Sequence, residues 1–281
     1  MLAFSALVAG SFSLGSMIAN DIDPLALTAI RFVIASLLIG ALAAPRLRRA
    51  HVGSPWRYLI MGGLLATYFV LMFEGLKTAP PVSTAAVFTL TPLMAGGFGW
   101  LLLRQVTTPR MAGALAIGGA GALWVIFRAD LGALLAFDVG RGEAIYFVGC
   151  IAHALYAPIV PWLNRGEPTV VFTFGMLVAG TLCLLVVGGP AILATGWLSL
   201  SPFVWAVILY LAVVASSATF LLLQFASMRL KSAKVMAYTY LTPSWVILWE
   251  VALGRVAPPP MILVGVALTV IALLALLKSD A

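Results

Sequence analysis

The chain has 281 residues, of which 63% are hydrophobic and 9% charged, with a formal net charge of +7. A water-soluble domain of this length cannot hide so much apolar surface, so a soluble globular fold is excluded. The positive charge lies in short stretches between apolar runs, which fits membrane topology and argues against a nucleic-acid partner.

A helix crosses the hydrocarbon core with roughly 20 apolar residues. Taken in chain order, such runs cover residues 2–19, 24–43, 56–76, 80–103, 109–127, 142–163, 169–188, 203–226, 233–254 and 260–277. They lack the two-residue alternation of a barrel, and lipid cannot satisfy the exposed backbone of open strands. The sequence predicts an all-α integral membrane protein of ten transmembrane helices. The first run lacks a basic leader, so it is expected to be a retained helix rather than a cleaved signal. Cys150 and Cys183 both fall inside runs and read as small buried residues, so neither a disulfide, a metal site nor a cofactor is expected.

The connecting stretches on the side of the N-terminus carry Arg46, Arg48, Arg49, Arg57, Arg104, Arg110, Arg165, Arg229, Lys231 and Lys234, with Lys278 at the end of the last run. The opposite side carries only Lys77, Arg128, Arg141 and Arg255, and most of the acids, Glu143 among them. By the positive-inside rule both termini face the cytoplasm, in a cell inner membrane.

Two patterns recur in the same order. Asn20-Asp-Ile-Asp23-Pro24 is echoed by Asn164-Arg-Gly-Glu167-Pro168. Leu90-Thr91-Pro92 is followed by eleven residues, Arg104, four residues and Pro109; Leu241-Thr242-Pro243 is followed by eleven residues, Arg255, four residues and Pro260. These pairings lay the first five helices (1–128) over the last five (141–278), and an odd number of spans inserts the second half upside down. Inverted repeats characterise secondary transporters, whose substrate site lies near the midplane between the halves.

The candidate residues follow from this picture. Pro92 and Pro243 fall in mid-run, where proline lacks an N–H and frees the carbonyl four residues back, here Phe88 and Thr239. Those carbonyls are expected to line a cavity and accept from a ligand ammonium, with the prolines as hinges; alternatively, Thr91 and Thr242 bond back into their own helices. Tyr68, Met72, Tyr156, Tyr238 and Trp245 supply aromatic and thioether surface, and Tyr238, Trp245 and Trp249 share one face of a continuous helix. His153, near mid-depth, is a substrate contact, a proton-coupling site or a packing residue. Arg31, inside the second run, points inward as a structural cap or as the partner of a substrate carboxylate. No P-loop, His-Glu-x-x-His or other catalytic constellation occurs, so the chain is not expected to be an enzyme.

Leu25-Ala-Leu-Thr-Ala-Ile-Arg31-Phe32 after a first helix, the Leu-Thr-Pro-x11-Arg-x4-Pro pattern in both halves and the two-times-five layout resemble the drug/metabolite transporter superfamily, in its EamA-type branch. Within it the sequence is most similar to amino-acid exporters of the YddG type. The resemblance implies alternating-access export of aromatic and other neutral amino acids from the cytoplasm, with other small metabolites or drugs as the alternative cargo. It implies small-molecule and lipid partners only, and a monomer is compatible with it. The position matching Arg31 in the second half is Gly175, so the two repeats are not equivalent there.

Overall fold

The computed structural model describes residues 1–136, 138–256 and 258–278. The described residues contain helices and no strand. The first half comprises α1 (Leu2–Ile18), α2 (Pro24–Ala43), α3 (Trp56–Leu76), α4 (Pro81–Phe88), α5 (Thr91–Leu103) and α6 (Pro109–Ile126). A short helix, α7 (Leu131–Ala136), stands where the sequence suggested only a loop. The second half comprises α8 (Arg141–Leu163), α9 (Thr169–Ala194), α10 (Pro202–Ala212), α11 (Thr219–Ser227), α12 (Ser232–Ala237), α13 (Thr242–Ala252) and α14 (Pro260–Leu277).

Helix starts follow local chemistry. Pro24, Pro81, Pro109, Pro202 and Pro260 each open a helix, where the missing N–H costs nothing. Asp23, Thr108 and Ser201 cap the following helices by accepting from the backbone N–H of Leu25, Met111 and Val204. Eight helical segments are long and apolar enough to cross a membrane: Pro24–Arg46, Trp56–Leu76, Pro81–Leu103, Pro109–Ile126, Arg141–Leu163, Thr169–Ala194, Pro202–Ser227 and Pro260–Leu277. Leu2–Ile18 is apolar but shorter, and the run from Ser232 to Ala252 is divided into α12, a 3-10 turn (Tyr238–Leu241) and α13. Large side chains such as Leu37 (70% exposed) and Val186 (83%) cover the outside, which suits a lipid solvent and would be untenable in water. The chain is a multi-pass membrane protein.

The two proline positions do not kink continuous helices. Pro92 stands in the first turn of α5, after α4 has ended at Phe88; Pro243 stands in the first turn of α13, after the 3-10 turn. Each proline begins a new helix because the segment before it has already released its N–H donors. A third irregularity had no signal in the sequence: between α10 and α11 the backbone forms a π-turn over Val213–Ala218.

The packing repeats when the halves are exchanged. α3 lies on α8 as α1 lies on α10 and α11; α3 lies on α9 as α10 lies on α2; α5 lies on α8 as α13 lies on α1. α2 with α9, α5 with α12, and α6 with α14 are contacts between matching partners. The α6–α14 seam is the tightest case argued from glycine: a Cβ on Gly121 would stand 2.6 Å from the Gly265 carbonyl oxygen, and one on Gly265 2.7 Å from that of Gly121. Only hydrogen on both Cα atoms allows the backbones to touch.

Candidate functional site

An aromatic cluster fills the interior between the halves. Tyr68 of α3 meets His153 of α8 with ring centroids 4.3 Å apart, and Phe88 at the end of α4 lies 5.0 Å from the same imidazole. Phe12 of α1 closes on Phe88 at 5.8 Å, and the Tyr146 hydroxyl donates to that of Tyr68 at 3.0 Å. All five side chains are buried. Of the candidates named from sequence, Tyr68, Phe88 and His153 are thus brought together, and Met72 is buried in the same core.

The helix break lies beside them. The Thr91 hydroxyl donates back to the Phe88 carbonyl at 2.7 Å, and its oxygen is 3.2 Å from the Thr239 hydroxyl. The Thr239 carbonyl accepts from the Thr242 N–H within the 3-10 turn. Both carbonyls freed by the prolines therefore hold one hydrogen bond from their own segment, with a second lone pair left over. The matching threonines differ: Thr242 Oγ1 has no partner among the described residues.

Tyr156 of α8 donates to Gln224 Oε1 of α11 at 2.7 Å, which leaves Gln224 Nε2 unpaired. Trp245 is half-buried and donates to Ser5 Oγ at 3.2 Å. Tyr238 is not on a common face with Trp245 and Trp249. It packs on a separate small cluster with Leu115, Ala233 and Tyr240, while the two tryptophans border the main core. The reason is the 3-10 turn, whose three residues per turn rotate Tyr238 away from the register of α13.

Arg31 is fully buried and carries no carboxylate partner among the described residues. Its Nε donates to Ser216 Oγ at 2.8 Å, Nη2 donates to the Ala215 carbonyl at 3.3 Å, and the guanidinium covers the Phe69 ring at 3.8 Å. Both polar partners lie in the π-turn, so one observed role is structural: α2 is tied to the one turn that cannot satisfy its own carbonyls in α-register. Nη1 is left without a partner.

At the other end of the bundle, Arg57 of α3 forms a buried ion pair with Glu167 in the α8–α9 turn (Nη2 to Oε1, 2.6 Å) and donates from Nη1 to the Leu163 carbonyl at 2.7 Å. Burial pushes the Glu167 carboxyl up, but hydrogen bonds from the Arg57 guanidinium and the Arg165 N–H, with the charge of Arg57, outweigh it and hold the acid below the usual carboxylate range.

Sequence reasoning missed Tyr146, Gln224, Ser216 and the Arg57–Glu167 pair. Gln224 did carry a signal, as the one amide side chain inside an apolar run. The interior holds an unusual set of unpaired buried atoms: Ser11 and Ser13 Oγ on α1, His153 Nδ1 on α8, Gln224 Nε2 and Ser227 Oγ on α11, and Thr242 Oγ1 on α13. Among the described residues no three His, Cys, Asp or Glu side chains gather as metal ligands.

A crystal structure of a protein aligns with 98% of this chain and 94% of its own at a TM-score of 0.73, with 22% sequence identity, which establishes a shared fold. The chain is 24% identical over 192 residues to the uncharacterized transporter YyaM of Bacillus subtilis (strain 168), an alignment taking in 66% of this chain and 63% of that protein. The chain thus spans somewhat under two thirds of that relative's length. Residues 1–127 and 140–278 each match the EamA-like transporter family, and with nearly the whole molecule so matched, the chain belongs to that family.

Proposed function

We propose that this transporter is a secondary carrier exporting aromatic and other neutral amino acids from the cytoplasm across a cell inner membrane. In this reading residues 1–128 and 141–278 are inverted five-helix repeats, ten spans in all with both termini cytoplasmic, that rock about the aromatic interior. The observation that carries it is the set of unpaired hydroxyl, imidazole and amide atoms on α1, α8, α11 and α13. Each buried orphan costs about 1–3 kcal/mol, so an interior built only for packing would not retain six of them. A zwitterion entering between the halves satisfies them. Its ring lies against Tyr68 and Phe88, its carboxylate takes donors such as Gln224 Nε2, and its ammonium meets His153 Nδ1, hydroxyls and the second lone pairs of the Phe88 and Thr239 carbonyls. The exchange symmetry of the packing and the one-sided loop charge support the inverted arrangement. Pro92 and Pro243, each starting a helix after a break, are the flexing points.

The test is counterflow of labelled phenylalanine into liposomes holding the purified protein. Saturable exchange, competed by tryptophan, methionine or threonine, is expected; no saturable flux for any of the four rejects the reading. Gln224→Leu and Tyr68→Ala should each lower kcat/KM for phenylalanine at least about 10-fold, which is about 1.4 kcal/mol of transition-state binding.

A further inference from the structure

A second concavity lies away from the aromatic interior. It opens where the start of α8, the end of α6 and the break after α4 meet, with a volume of about 390 Å³. Leu90, Leu123, Phe127, Val139 and Phe147 form apolar walls, and Glu143 is the only ionisable residue that lines it. Glu143 is 3% exposed. Its Oε1 accepts from the Ser83 hydroxyl at 2.8 Å, and that is its one side-chain hydrogen bond among the described residues. Oε2 lies against Gly140, where a Cβ would overlap it, and is not sealed off from the groove. No Lys, Arg or His side chain forms an ion pair with this carboxylate among the described residues. The other acids near helix ends differ: Glu74 is paired with Lys77, and Glu250 with Arg255.

A carboxylate recessed in an apolar wall with a single hydroxyl donor is poorly compensated. Its place in the first turn of α8 offsets part of that cost, because the helix N-terminus favours negative charge, but supplies no counter-ion. The missing component is a cation. The walls around the acid are almost wholly apolar, so a small hydrated ion would gain little there, whereas a cation with an apolar body would fill the groove and neutralise the acid together. We propose that this groove is a binding site for a lipophilic primary amine, its ammonium on Glu143 Oε2 and its hydrocarbon between Leu123, Phe127 and Phe147. The site is independent of the amino-acid pathway and needs no transport of the amine.

The probe is labelled n-decylammonium, measured on the full chain in phosphatidylcholine nanodiscs after subtraction of empty discs. Saturable binding near one per chain is expected. Glu143→Gln should weaken it at least about 10-fold, and so should Leu123→Trp, which fills the groove and spares the acid; Glu74→Gln should leave it unchanged. Leu123 is 39% exposed, so if Glu143→Gln yields no monodisperse protein, Leu123→Trp decides alone. Decanol, equally apolar and uncharged, should fail to displace the amine at concentrations where unlabelled decylammonium does. Wild-type binding by Leu123→Trp or by a folded Glu143→Gln, equal displacement by decanol (an acyl-chain slot), or no saturable binding at all overturns the proposal. None of these results bears on phenylalanine counterflow, so the two readings fail separately.

Discussion

Glu167→Gln should destabilise the folded protein by about 3–5 kcal/mol, the usual cost of leaving one member of a buried ion pair unpartnered. The member left behind is Arg57, whose side chain is 2% exposed and whose Nη1 remains on the Leu163 carbonyl. Thermal unfolding of the detergent-solubilised protein, followed by tryptophan fluorescence, measures the loss. The pH dependence has a definite sign. Glu167 titrates lower in the folded chain than in the unfolded one, so its contribution is complete above the unfolded value of about 4.3 and disappears as pH falls through the lower folded value. Wild-type stability should therefore drop across that acid range more steeply than that of Glu167→Gln. Replacing both members together, Arg57→Met with Glu167→Met, should restore most of the loss, because a buried pair contributes little over well-packed apolar residues. A double variant as unstable as the single one would assign the loss to packing of the turn instead.

Gly121→Leu should abolish recovery of monodisperse protein in size-exclusion chromatography. Overpacking a core normally costs about 1–3 kcal/mol, because side chains can shift to make room. Here the obstacle is the backbone oxygen of Gly265, which moves only if α6 and α14 separate along their seam. Gly113→Leu on the same helix is the control. A Cβ there meets nothing within 4 Å, so this variant should elute as wild type. Equal behaviour of the two variants would remove the argument that direct backbone contact holds this pair.

These two cases also show what a sequence of this kind discloses. Hydropathy sets how deep a residue lies, and the apolar runs therefore marked the helical segments closely, while each Leu-Thr-Pro marked a real break. Azimuth is a different matter, because helices apolar on every side give no moment to orient them. Glu143 accordingly read as a loop acid although it is buried against Ser83, and Arg57 as a topogenic charge although it is held by Glu167. Tyr238 was placed on the wrong face because a four-residue 3-10 turn leaves no mark in composition. The cluster of Tyr68, Phe88 and His153 was half visible: the residues stood out as polar or aromatic at mid-depth, but their partner Tyr146 and the orphaned amide of Gln224 emerge only from the packing.

The tether from Arg31 to the Val213–Ala218 turn exists once, since Gly175 occupies the matching place. Swapping the two halves of the molecule would not regenerate it, so the inward-open and outward-open forms of such a carrier are not energetic mirror images. One of them must break the guanidinium's grip to form, and a resting population biased toward the other is the kinetic signature this leaves.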